Sequence, residues 1–148
     1  MTSSSTTLGP AIRTLSRLAR VLERGCADGD LSLPQYRLLA MVGTGGERST
    51  ALAERLAVAK PTVTAMVDSL VERGMLCRSD VAGDRRAVRI TITGAGRRAL
   101  RQAEAAIGAR LEGVLDRVAG RADVLAALAD LGAALDARSE ERLAGAAR

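Results

Sequence analysis

Hydrophobic residues recur at three- and four-residue spacing along most of the chain, which is the pattern of helices with one buried face. Ile12, Leu15, Leu18, Ala19 and Leu22 form the first such face, with Arg13, Arg17, Arg20, Glu23 and Arg24 opposite. The glycines of the segment Gly25 to Asp30 predict its end. Pro34 suits a first turn, and Tyr36, Leu38, Leu39 and Val42 supply a second helix that stops at Gly43, Gly45 and Gly46. A short third helix is expected from Thr50 to Leu56, with Ser49 or Thr50 as its cap. A fourth opens at Pro61, buries Val63, Val67, Leu70 and Val71, and ends at a Gly74 cap.

The period then changes. Val88, Ile90 and Ile92 alternate with Arg89, Thr91 and Thr93, the two-residue repeat of a half-buried strand. Leu76 to Ser79 can pair with it, leaving Asp80 to Arg86 as the hairpin tip. Helical spacing resumes with Leu100, Ala103, Ile107, Leu111, Val114 and Val118, breaks near Gly120, and continues through Val124, Leu128, Leu131 and Leu135. These last two helices and the first carry wider apolar faces than so small a domain can cover, so a helical homodimer interface built from both chain ends is expected.

Composition supports a mainly α chain. Of 148 residues, 28 are Ala, the only aromatic is Tyr36, and His, Phe and Trp are absent. Without His there is no His-based acid/base catalysis and no His metal ligand. No metal site, cofactor or enzyme signature is expected, and the carboxylates lie on solvated helical faces. The sequence shows no membrane span or signal peptide, so a cytoplasmic protein with reduced thiols at Cys26 and Cys77 is expected.

Charge is informative by position. The formal net charge is +5, and the segment from Lys60 to Arg101 carries all of the excess. Such a localised excess is the footprint of a polyanion partner. Around it, residues 49–76 read as helix, a turn at Ala57 to Lys60 with apolar Val58, helix, then a basic hairpin. That is a helix-turn-helix, whose second helix places its N-terminal residues against base edges in the major groove of double-stranded DNA. Lys60, Pro61, Thr62 and Thr64 occupy that end, with Asp68 a turn further on. Lys and Thr can donate to phosphates or base acceptors, and a Thr methyl can touch thymine. Asp84, Arg85, Arg86 and Arg89 belong to the hairpin, where an Arg at the tip suits the negative potential of a narrow minor groove.

The runs L-P-Q-Y at residues 33–36, A-E-R-L-A-V-A-K-P-T-V-T at 53–64, V-E-R-G-M-L at 71–76 and D-V-A-G-D-R-R-A-V-R-I-T-I-T-G-A-G at 80–96 resemble the MarR family of winged helix-turn-helix regulators. The resemblance spans roughly residues 10–142. It implies a mainly α fold with a small β-hairpin wing, in which residues 31–93 form the winged helix-turn-helix DNA-binding domain and residues 1–30 with 94–148 a helical dimerisation region. It further implies a homodimer on a pseudo-palindromic operator, usually a repressor, released by a small-molecule effector. Carried onto this chain, the recognition helix is Pro61 to Arg73, Arg86 enters the minor groove, and Asp84 orients the wing arginines. Tyr36 is the polar aromatic that can line an effector pocket.

Three readings compete. One is a ligand-independent architectural protein that binds DNA without sequence preference. Another is a redox-responsive regulator acting through Cys77 or Cys26, although the position of the family's peroxide-sensing Cys, near Thr6 to Leu8, holds no thiol. The third reads Gly94-Ala95-Gly96-Arg97-Arg98-Ala99 as the G-x-G-x-x-A dinucleotide fingerprint, but the helical pattern that follows lacks its β-α-β context.

Overall fold

A computed structural model describes residues 4–43, 47–56, 58–81 and 84–146; the side chains at 4–7, 47–51, 54, 81, 84–87, 143 and 146 lie outside that description. In chain order the elements are α1 (Ser4–Asp28), α2 (Leu33–Gly43), β1 (Glu47–Arg48), α3 (Ser49–Leu56), α4 (Lys60–Glu72), β2 (Leu76–Val81), β3 (Asp84–Ile92), α5 (Gly94–Leu115) and α6 (Arg121–Ala146). The strands form an antiparallel sheet in the order β1-β3-β2. This is the winged helix fold: a three-helix unit, α2 to α4, followed by a hairpin.

Local chemistry sets most boundaries. Before α2, the Ser32 N–H donates to Gln35 Oε1 at 3.0 Å while the Gln35 N–H donates to Ser32 Oγ at 3.3 Å, a reciprocal capping box. At the end of α4, the Met75 N–H donates to Leu70 O and the Gly74 N–H to Val71 O, with Gly74 at φ +69°. These are the two bonds of a Schellman cap. Thr93 caps α5, its hydroxyl oxygen accepting from the Gly96 N–H at 3.1 Å.

The core is aliphatic throughout. Leu31, Leu38, Leu39 and Val42 meet Leu52 and Leu56 of α3, Val63, Val67 and Leu70 of α4, Leu76, Ile90 and Ile92 of the sheet, and Ala99 and Ala103 of α5. The C-terminal half of α1 packs along α5, burying Cys26 and Ile107.

The structure refines one expectation, corrects a second and adds an element the spacing did not predict. First, α1 runs from Ser4 through Pro10 and past Gly25 to Asp28. Gly25 is not a helix stop: a Cβ there would lie 2.7 Å from the Ile107 Cα, so the glycine permits the close crossing of α1 and α5. The stop comes later, where the N–H groups of Gly29 and Leu31 both donate to Cys26 O and Asp30 takes φ +59°. Second, α5 ends at Leu115, so Val118 lies beyond the helix, and the chain turns through Gly120 at φ +85°. Third, β1 pairs through Glu47↔Ile90 and Arg48↔Arg89, and two residues are too few to leave a periodic signal. Gly45, Gly46, Ala57 and the expected side-chain cap at Ser49 or Thr50 lie outside the described residues.

Candidate nucleic-acid interface

The amphipathic split of α4 positions the site. Val63, Val67 and Leu70 are buried in the core, which leaves Lys60, Pro61, Thr62 and Thr64 together on the exposed N-terminal end. Ala59 is the N-cap, in extended conformation, and no side chain caps the helix. The Thr62 hydroxyl is therefore not spent as a cap, while Pro61 has no N–H to offer and the N–H groups of Thr62 and Val63 both donate to Ala59 O, at 3.0 and 3.2 Å. Thr64 differs, since its hydroxyl donates to Lys60 O at 3.0 Å. It retains lone pairs and a methyl group for a partner, whereas Thr62 retains its donor as well. Val58, in the turn before α4, is 37% exposed and so only partly committed to the core.

Asp68 lies apart from this group. Its Oδ1 is 2.5 Å from Arg78 Nη2, and the pair joins the middle of α4 to β2. The carboxylate anticipated at the DNA face is thus engaged by the wing strand. Ten residues separate the partners, too far for a helical spacing rule to anticipate the contact. At the other end of α4, Arg73 Nη2 donates to both Asp30 O, at 2.7 Å, and Asp30 Oδ2, at 2.8 Å. Neither Arg78 nor the Arg73–Asp30 pair was visible as a site in the sequence pattern.

The expected strands pair, with Leu76↔Ile92, Cys77↔Thr91, Arg78↔Ile90 and Ser79↔Arg89, but the expected tip of Asp80 to Arg86 is too long: pairing continues through Asp80↔Val88 and Val81↔Asp84, with a bulge between Asp80 and Val81, so Arg85 and Arg86 lie in β3. Ile90 and Ile92 face the core while Arg89 is exposed. Asp84, Arg85 and Arg86 begin β3, at the end of the hairpin remote from α5. Their side chains, and with them the expected Asp84 ion pair, lie outside the described residues, as do Ala82 and Gly83.

The two thiols are unpaired and differently placed. Cys26 is buried, and burial pushes its thiol pKa up, which disfavours the reactive thiolate. Cys77 is exposed on β2, its Sγ 2.9 Å from Thr91 Oγ1. Tyr36 is half-buried against the core, and desolvation first, then the charges of Glu104 and Cys26, push its hydroxyl pKa up. An open cavity of about 420 Å³ lies where α1 meets α2, lined by Glu23 and Ala27, Leu31 to Pro34, and Arg37. Tyr36 is not among its lining residues.

The glycine motif at the start of α5 has a packing explanation. A Cβ on Gly96 would lie 2.1 Å from Met75 O, so only glycine lets the first turn of α5 rest on the end of α4. The preceding strand is antiparallel to both of its neighbours, so the parallel unit of a dinucleotide site is not formed. Among the described residues, no group of three acidic, Cys or His side chains is placed to hold a metal ion.

Comparison with known proteins agrees with this geometry. The MarR family model matches residues 31–88. RV1404 from Mycobacterium tuberculosis superposes with a TM-score of 0.75 at 25% identity, over 90% of this chain and 97% of that one. The transcriptional repressor CouR, solved bound to a 23-mer DNA duplex, gives 0.74 at 29% identity, over 90% and 95%. MarR from E. coli, in its apo form, gives 0.70 at 23% identity, over 84% and 93%. No curated protein matches the sequence.

Proposed function

Because this chain carries a MarR-family domain, we propose that it is a sequence-specific DNA-binding transcriptional regulator, acting as a homodimer and as a repressor. The family consists of transcription regulators rather than enzymes. The observation that carries the reading is the exposed N-terminal end of α4, with Lys60, Thr62 and Thr64 grouped there, in the segment that also contains the basic hairpin and holds all of the excess charge. Residues 31–93 act as the DNA-binding unit. Two α4 helices enter successive major grooves about one helical turn, ~34 Å, apart, and Arg86 of each wing enters the flanking minor groove. The repressor assignment draws support from the likeness to CouR.

Dimerisation uses residues 1–30 and 94–148. Leu8, Ile12 and Leu15 of α1 and Leu125, Leu128, Leu131 and Leu135 of α6 are 44–63% exposed, a larger apolar surface than a soluble monomer usually shows. The protein acts in the cytoplasm; among the described residues no helix is long and apolar enough to cross a membrane. A small-molecule effector releases the operator by favouring a dimer with the wrong spacing of α4 helices. The cavity between α1 and α2 adjoins the joint that would have to move, and Tyr36 reports on that region from the core side. A second reading, in which oxidation of Cys77 performs the release, rests on that thiol being exposed on the wing strand.

Selection of bound DNA from a random pool by the purified protein, followed by titration of the winner against scrambled DNA at physiological salt, tests the proposal. A palindromic winner with a large specificity ratio is expected. Binding that tolerates any sequence and falls steeply with salt would identify an architectural protein instead. Arg86→Ala is expected to weaken operator binding about tenfold while the dimer stays intact; wild-type affinity in that variant would overturn the wing assignment.

A further inference from the structure

We propose that Arg73 is a positioning residue that sets the tilt of α4, and through it the half-site spacing the protein prefers, by clamping the end of the helix to Asp30. The inference rests on the operator-binding reading above. It begins from how α4 is held. The helix packs against α3 and β2, while its DNA-facing end at Lys60 to Thr64 projects outward. Its other end is gripped from two sides.

One grip is made by Thr93 at the junction of β3 and α5. The Thr93 hydroxyl donates to Gly74 O at 2.6 Å and its N–H to Met75 O at 3.0 Å. Gly96 brings the first turn of α5 onto the same Met75 carbonyl. Backbone bonds and close packing make this side rigid. The other grip is Arg73, whose Nη2 holds both the carbonyl and the carboxylate of Asp30, 43 residues earlier in the chain. Asp30 sits at φ +59° in the joint between α1 and α2. Its carboxylate is 97% exposed, so this side is ionic, solvated and adjustable.

Leverage makes the second grip matter. Thirteen residues of helix span ~20 Å, so a tilt of about 10° at the clamped end moves the DNA-facing end by ~3 Å. One base pair advances the duplex by about the same distance, since ten span one ~34 Å turn. A clamp too weak to matter for folding is therefore sufficient to change which spacing is read. It also lies beside the cavity lined by Leu31 to Pro34, which places it between an effector and α4.

The test uses the selected operator and two versions with the half-sites one base pair closer or further apart. The full-length wild-type protein, Arg73→Ala and Asp30→Asn are titrated on all three, with melting temperature and dimer mass recorded. Asn keeps the left-handed conformation accessible while removing the charge, so it remains informative if Arg73→Ala fails to fold. Wild type is expected to prefer its own spacing. Both variants are expected to lose that preference about fivefold or more, since a dimer carries two clamps, with melting and dimer mass retained. The double variant is expected to lose no more than Arg73→Ala alone.

Variants that discriminate as well as wild type would overturn the clamp. A uniform loss at every spacing would do the same, because it would mark Arg73 as a phosphate contact or a merely structural residue. Absence of any spacing preference in the wild type would instead overturn the operator reading on which the clamp rests.

Discussion

Thr62 and Thr64 sit two residues apart on one helix, yet the backbone gives them different chemistry. Thr64 has spent its donor on Lys60 O, while Thr62 is exposed and caps nothing. Hydrogen bonds to charged groups are worth about 1.5–3 kcal/mol. Thr62→Val is accordingly expected to weaken operator binding about tenfold or more, and Thr64→Val, which keeps the methyl, to stay within about threefold, as read by titration. The thiols divide in a similar way. Cys77 should react with a maleimide in the folded protein and Cys26 only on unfolding, which mass spectrometry across a denaturant series would show. Burial raises the pKa values of Cys26 and Tyr36, so over the alkaline range the unfolded chain binds fewer protons than the folded one. Stability should therefore be unaffected by these groups near neutral pH. It should fall as pH climbs through the ordinary thiol and then phenol ranges, and Cys26→Ala should remove the first part of that fall in pH-dependent melts.

At the scale of elements, how two helices approach decides what a glycine does. Gly96 and Gly108 both lie in α5. The first rests against Met75 O, while a Cβ on the second would meet nothing within 4 Å. Gly96→Ala must push α5 away from the end of α4, and a loss of about 2–3 kcal/mol is expected in denaturant melts. Gly108→Ala should gain up to about 1 kcal/mol from helix propensity alone. Equal effects at the two positions would contradict the packing account. The Asp68–Arg78 pair joins α4 to β2 with both side chains close to half-exposed, so its weight lies in orientation more than in stability.

For the whole molecule, the folded unit leaves its two ends uncovered. The C-terminal half of α1 and the first half of α5 are buried against each other, whereas α6 makes no extensive packing contact with another element among the described residues. Ion pairs such as Arg121 with Glu112 and Asp116 hold its base to the end of α5, and the Arg121 hydrogen bond lowers the Glu112 carboxyl pKa. Leu131 and Leu135, 56% and 63% exposed, belong to the face proposed to meet a second copy. Leu131→Glu with Leu135→Glu is expected to convert a dimer into a monomer by light scattering, and to lower operator affinity at least tenfold, because each half-site is then bound alone. A wild-type protein of single-chain mass would remove the dimer from the proposal.

What could be read from the chain alone was what depends on near neighbours. The 3.6-residue period marked the helices, the two-residue period marked β3, and the cap at Gly74 followed from a residue type beside a change of period. The exposed quartet at the start of α4 was visible for the same reason, since the face opposite Val63 and Val67 has to be outside. Contacts between distant segments were decided only by the tertiary structure. Gly25 has the local character of a helix stop, but a favourable crossing with Ile107 outweighs the modest cost of glycine in a helix. Asp68 has the spacing of a DNA-facing residue, and its contact with a guanidinium on β2 could not be foreseen from that spacing. Tyr36 is the one aromatic in the chain, yet the cavity opens beside it rather than onto it. The partner of Arg73 lies 43 residues away. Helix and strand periods are properties of a few consecutive residues, whereas the partner of a charge depends on where the packing of other elements brings it.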